Sequence, residues 1–139
     1  MRTQLVFFGN ARDSIEGTKR GLIAFTTLMV LDAIRFKTAD YGSVISRKKV
    51  NIYSVIFVWL LLCSAIGVQT NPKDYKESMT YGALVGFVVY GVHNGINYAI
   101  MDNYPINIAI MDTAWGTFAC AVAALAVYAL YHARHQSVL

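Results

Sequence analysis

Five polar residues stand inside otherwise apolar stretches of this chain: Asp32, His93, Asn94, Asn97 and Asp112. Two carboxylates and an imidazole are the parts of a proton or cation relay, in which Asp32 and Asp112 change charge beside His93. The same residue types also hold helices together. A carboxylate facing lipid costs roughly 2.5 to 3.5 kcal/mol at a helix centre, so it is normally turned inward onto a partner. With the apolar stretches as successive spans, all five fall in one leaflet, and the lack of acids continuing through the other favours interhelical hydrogen bonding. Arg35 follows Asp32 by three residues, on one helical face, which allows a local ion pair.

Other chemistries find less support. Asp32 and Asp112 lie in Val-Leu-Asp-Ala and Met-Asp-Thr-Ala, without the Tyr-Asp and Gly-x-Gly-Asp contexts of an intramembrane aspartyl protease. The chain has no HExxH, GxSxG, glycine-rich phosphate loop or CxxC, and His93, His132 and His135 do not form a ligand set. The expectation is a non-enzymatic protein without metal or cofactor.

The elements that must position these residues are membrane helices. Val50–Val68, Tyr81–Met101 and Ile106–Tyr131 contain no Lys or Arg, and Asp112 is their one acid. Each is at least 19 residues long, enough at ~1.5 Å per residue to cross a hydrocarbon layer of ~30 Å. Gly21–Ile34 supplies a shorter fourth span of 14 residues, extended by flanking Lys and Arg that can snorkel. Helices are therefore expected near 19–35, 50–69, 79–101 and 105–132. With Asn71-Pro72 and Asn103-Tyr104-Pro105 as turn signals, they form an all-α integral membrane protein, a four-helix transmembrane up-and-down bundle. Residues 1–18 read as an N-terminal arm, 19–132 as the transmembrane domain and 133–139 as a polar tail. Seven Lys and Arg fall on the terminal side and five on the other, a small bias towards termini on the interior side.

Composition agrees with membrane insertion: 56% of residues are hydrophobic and 14% charged. The formal charge of +4 comes from residues beside the spans, which suits anionic headgroups or partner proteins and not nucleic acid. Cys63 and Cys120 lie inside spans and count as small apolar side chains. The Leu5–Phe8 run is too short for a cleavable signal peptide. Ordering a mixed arm needs a buried surface, so Phe7, Phe8 and Ile15, with the basic cluster Arg47, Lys48 and Lys49, are expected to contact protein neighbours as well as the bilayer.

Small residues mark where helices touch. Gly82 with Gly86, and Gly91 with Gly95, are spaced for close approach on the third helix, and Gly116, Cys120 and Ala124 repeat the spacing on the fourth. Treating these helices as a hairpin about residues 102–105 sets Asp112 level with Gly95. Asp112 should then accept a hydrogen bond from Asn94 or Asn97, with Trp115 one turn on in the same seam. Tyr53, Tyr81, Tyr104, Tyr128 and Tyr131 sit near span ends, as in an aromatic belt.

The segment Tyr90-Gly-Val-His-Asn-Gly-Ile-Asn-Tyr-Ala, followed by Pro105 and Asp112-Thr-Ala-Trp115-Gly116-Thr117, resembles an uncharacterised family of small four-helix membrane proteins. That family carries Tyr-Asp-x-Thr-Asn on its third helix and Asp-x-x-Trp-Gly-Thr on its fourth. The resemblance also takes in Leu31-Asp32-Ala33. Asn94 stands where an Asp is usual, which removes a carboxylate that a relay would use. The resemblance implies a fold and no established activity, with similar proteins in bacteria and in large DNA viruses whose capsids enclose a membrane. The resulting expectation is a structural or anchoring component of a larger assembly, in its narrowest form a minor capsid protein in a virion inner membrane. The alternative is a small transporter or proton-coupled channel subunit using the intramembrane Asp and His residues.

Overall fold

The computed structural model describes residues 11–38, 52–67, 72 and 74–136. They form four helices: α1 (Ala11–Thr38), α2 (Ile52–Gly67), α3 (Tyr75–Ile100) and α4 (Ile106–Gln136). The number and order of helices match the hydropathy pattern, and the ends differ from it. α1 starts eight residues before the expected position because a helix needs no apolar residues. Its first turns are polar and carry the i, i+3 pair Lys19 Nζ–Glu16 Oε1 at 2.8 Å. The second part of the segment read as an arm is thus helical. Phe7, Phe8, Arg47, Lys48 and Lys49 lie outside the described residues, whereas Ile15 is on α1 and 57% exposed.

Local signals fix the α3–α4 hairpin. Asp74 caps α3 by accepting the Glu77 amide at 2.8 Å. After Met101, Asn103 takes a left-handed conformation, φ 64°, which Asn tolerates better than most residues. The Pro105 carbonyl then accepts the amides of Ile108 and Ala109 at 3.0 and 3.2 Å, opening α4.

Among the described residues, two helices are long and apolar enough to cross a membrane: α3, and α4 over Ile106–Tyr131, with mean hydropathies of 1.2 and 1.7. α2 is apolar but only 16 residues long. α2 and α4 each contact all three other helices, and α4 the more extensively. α3 is the most extensive partner of α4, α1 touches α2 and α4, and α1 does not approach α3. The core is built from small side chains. Of its buried cluster only Leu28, Leu62, Ile66 and Val127 are larger than Cys. Large apolar residues face outward instead, including Phe57, Leu60, Leu84, Phe87, Val92 and Ile96. That inversion suits lipid-facing helices joined by close backbone contact.

Two glycine crossings set the approach. On the α3–α4 seam, a Cβ at Gly82 would fall 2.6 Å from Ala124 Cβ, and one at Gly86 2.9 Å from Cys120 Cβ, with the carbonyls of Cys120 and Gly116 also in the way. Gly116 in turn lies under the Tyr90 ring. Ser78 Oγ donates to the Ala124 carbonyl at 3.0 Å along this seam. The second pair expected there does not come as close. A Cβ at Gly91 would meet only Thr113 Cγ2 at 3.7 Å, and at Gly95 nothing within 4 Å. The seam follows the i+4 row Ser78, Gly82, Gly86, Tyr90 and Asn94, and Gly95 lies outside that row. The other crossing joins α1 to α2, where a Cβ at Gly67 would come within 3.0 Å of the Gly21 amide and 3.1 Å of the Gly17 carbonyl.

Candidate functional site

The α3–α4 hairpin and α1 bring polar side chains together about 9 Å along α4 from its start, six residues at ~1.5 Å each. Asn94 is the pivot, at 1% exposure. Its Nδ2 donates to Asp112 Oδ2 at 2.9 Å and to its own-helix Tyr90 carbonyl at 2.9 Å, with Thr113 Oγ1 at 3.4 Å. Its Oδ1 accepts from the Tyr104 hydroxyl at 2.7 Å. The expected bond from α3 to Asp112 therefore exists, through Asn94. Tyr104, first read as part of an aromatic belt, locks the interhelical turn onto it.

The other Asp112 oxygen faces α1. Arg35 Nη2 approaches Asp112 Oδ1 at 2.9 Å, with the side chains 12% and 24% exposed. Arg35 thus bridges two helices, where the i, i+3 spacing had suggested a local pair with Asp32. Trp115, one turn beyond Asp112, presents its Nε1 to Asp32 Oδ1 at 3.1 Å. The Arg35 guanidinium carbon lies 5.1 Å from the centroid of the Trp115 ring. Trp115 was expected in the α3–α4 seam and packs instead towards α1, because the Asp112–Trp115 face of α4 fronts that helix. Asp32, Arg35, Asp112 and Trp115 form one contiguous set across α1 and α4, extended through Asn94 to α3 and Tyr104.

His93 and Asn97 do not join it. They pair with each other at 3.0 Å between Nε2 and Nδ2, on a part of α3 where His93 is exposed. His93 lies about 100° around the helix from Asn94, which turns it away from Asp112. A relay running through His93 to Asp112 is not the arrangement found.

The set contains two carboxylates and one guanidinium, a formal charge of −1 among the described residues. Each buried side-chain polar atom among the described residues has a hydrogen-bond partner, and no three His, Cys, Asp or Glu side chains among them are grouped to hold a metal ion. An open groove of about 460 Å³ runs beside the network between α3 and α4. Gly91, Gly95, Ala109 and Thr113 border it, and Asn94 is at its floor. The Arg35–Asp112 pair escaped the sequence reading because it joins distant positions, and Tyr104, ten residues from Asn94, because a tyrosine at a span end also fits an aromatic belt. Gly17 and Gly21, spaced i, i+4, were a legible signal for the α1–α2 crossing.

A family model described as predicted membrane protein (DUF2177) matches residues 21–129. No curated protein and no solved structure matches the chain. The match covers well over half of the 139 residues, takes in every member of the polar network, and shows that the chain belongs to this family of predicted membrane proteins. Together with two helices able to cross a bilayer, it places the protein in a membrane.

Proposed function

We propose that this family member is a non-catalytic, multi-pass membrane protein whose four helices all cross the bilayer, and that it acts as a structural or anchoring component of a larger assembly. The observation that carries the reading is the engagement of the polar side chains with one another. Arg35–Asp112–Asn94–Tyr104 and Trp115–Asp32 tie α1, α3, the turn and α4 into a latch. A relay needs a path along which groups hand on a proton, and His93 faces away from this one. The exposed apolar surface contacts lipid, and the loops and termini engage protein neighbours. The narrowest form of the proposal, a virion inner membrane as the setting, rests on the resemblance alone.

Vesicles reconstituted with the pure protein provide the test. Under the latch reading a pH step produces no proton flux beyond that of protein-free vesicles, and Asp112→Asn retains more folded protein than Asp112→Leu because Asn keeps hydrogen-bonding capacity. A pH-driven flux that disappears in Asp112→Asn would replace the structural reading by the transporter one. For the assembly role, deleting residues 2–10 should leave insertion intact and abolish incorporation into the native complex. Incorporation at the wild-type level would remove the arm as docking element.

A further inference from the structure

We propose that the second half of α3 is the contact surface for a second copy of this chain, with the His93–Asn97 pair at its centre. The inference rests on the four-span reading above and names one partner within the assembly. α3 is the peripheral helix of the bundle. Its spanning window is 11% buried, against 39% for α4, and α1 does not approach it. The Tyr81 hydroxyl that donates to the Ala65 carbonyl of α2 at 2.8 Å lies about three turns before His93.

The depth of the pair sets this face apart from one that meets lipid. His93 is two residues past the middle of the Tyr81–Met101 span, about 3 Å from the bilayer midplane in an upright helix, and it is exposed. A polar side chain at that depth is expensive in hydrocarbon and is normally turned towards protein. His93 Nε2 and Asn97 Nδ2 bond to each other at 3.0 Å. An imidazole and a primary amide bonded in this way keep at least one donor and one acceptor, whichever way the amide is turned. A patch that offers both is complementary to itself, which is what a two-fold interface between identical chains requires.

The apolar residues around the pair have the spacing for such a contact. Val89, Ile96 and Ile100 are 37%, 53% and 73% exposed. With His93 they follow one another at intervals of four, three and four residues, the spacing of a helix–helix seam in which a single polar position fixes the register. Two copies inserted in the same direction pack α3 against α3 about an axis along the membrane normal. His93 then lies level with its twin, and the donor left on one copy meets the acceptor left on the other.

Full chains carrying a donor or an acceptor fluorophore at the C-terminus are mixed in phosphatidylcholine vesicles over a range of protein-to-lipid ratios. Energy transfer should rise to a plateau, and the double variant His93→Ala with Asn97→Ala should associate about tenfold more weakly with its helical signal unchanged. His93→Gln, which keeps a donor and an acceptor, should lose less. Under mild oxidation Ile96→Cys should cross-link to its twin. Val88→Cys, at a 50% exposed position about 140° around the helix from His93, should not. The unsubstituted chain, whose Cys63 and Cys120 are buried, is the blank.

Energy transfer no greater than random proximity gives, transfer that the double variant keeps in full, or equal cross-linking at residues 88 and 96 would overturn the proposal. So would an Ile96→Cys adduct in native membranes whose mass is not that of two copies. The four-span reading has its own readout in the same vesicles. Termini on one side leave it standing even where the copies do not associate, and termini on opposite sides remove it.

Discussion

Gly86→Ala adds one methyl group at one of the two tight glycine contacts between α3 and α4, and the structure states what that methyl meets. Its Cβ would lie 2.8 Å from the Gly116 carbonyl carbon and 2.9 Å from Cys120 Cβ. Carbon atoms settle at about 3.5 to 4.0 Å, so the two helices must separate by roughly 0.7 Å or more there. Neither obstacle is the end of a flexible side chain, and separation also lengthens the Ser78–Ala124 hydrogen bond of 3.0 Å on the same seam. Overpacking costs about 1 to 3 kcal/mol, and obstacles that are backbone and Cβ atoms put this site at about 2 to 3; less about 1 kcal/mol of gained helix propensity, the net loss is about 1 to 2 kcal/mol. Gly95→Ala is the internal control, because a Cβ at Gly95 has nothing within 4 Å; it should be neutral or stabilising by up to about 1 kcal/mol, the propensity gain without the clash. Reversible unfolding by SDS in mixed micelles reads both. Equal effects at Gly86 and Gly95, or a neutral Gly86→Ala, would refute the argument that backbone contact at this crossing sets the helix spacing.

Tyr104→Phe removes the hydroxyl that donates to Asn94 at 2.7 Å and should lower stability by about 1 kcal/mol, since the freed Asn94 oxygen stays buried; an unchanged SDS midpoint would show that the turn is held without it. Gly67→Val places a branched side chain against the Gly21 and Gly17 backbone and should destabilise by about 2 kcal/mol or more by forcing α2 off α1; a neutral result would mean that the crossing yields freely. Cysteine labelling from either side of intact vesicles should find Met1 and Leu139 positions on the same side, as four spans require; opposite sides would show that one helix does not cross.

Much of the fold is legible because membrane helices announce themselves by composition. The order of the four elements, the α3–α4 hairpin and its Gly82–Gly86 contact follow from apolar length, the residues 103–105 turn signal and small-residue spacing. Hydropathy fails at α1, whose mostly polar first turns, with Ile15 as their one large apolar residue, continue into the span as a single helix. It also cannot rank glycine pairs. Gly91 and Gly95 have the spacing of Gly82 and Gly86, yet α4 follows the i+4 row through Tyr90 and Asn94 and leaves Gly95 outside it.

The site was half visible. Polar residues in apolar stretches singled out Asp32, Asn94 and Asp112, and hairpin register paired Asn94 with Asp112. Span order sets Asp32 of α1 in the same leaflet as Asp112, but the ion pair was not accessible, because local spacing gives Arg35 a neighbour at Asp32 while only tertiary packing puts it 2.9 Å from Asp112. His93 shows the converse error. One residue from Asn94 in sequence is about 100° around a helix, enough to put it on another face.

The interhelical latch is tested most directly by a double-mutant cycle across Arg35 and Asp112, comparing Arg35→Met, Asp112→Asn and the double variant in SDS unfolding. Ionic coupling across α1 and α4 predicts that the double variant is less destabilised than the sum of the single ones, by about 1 kcal/mol or more. Additivity to within about 0.5 kcal/mol would mean that the two residues do not act as a pair, and would contradict the account.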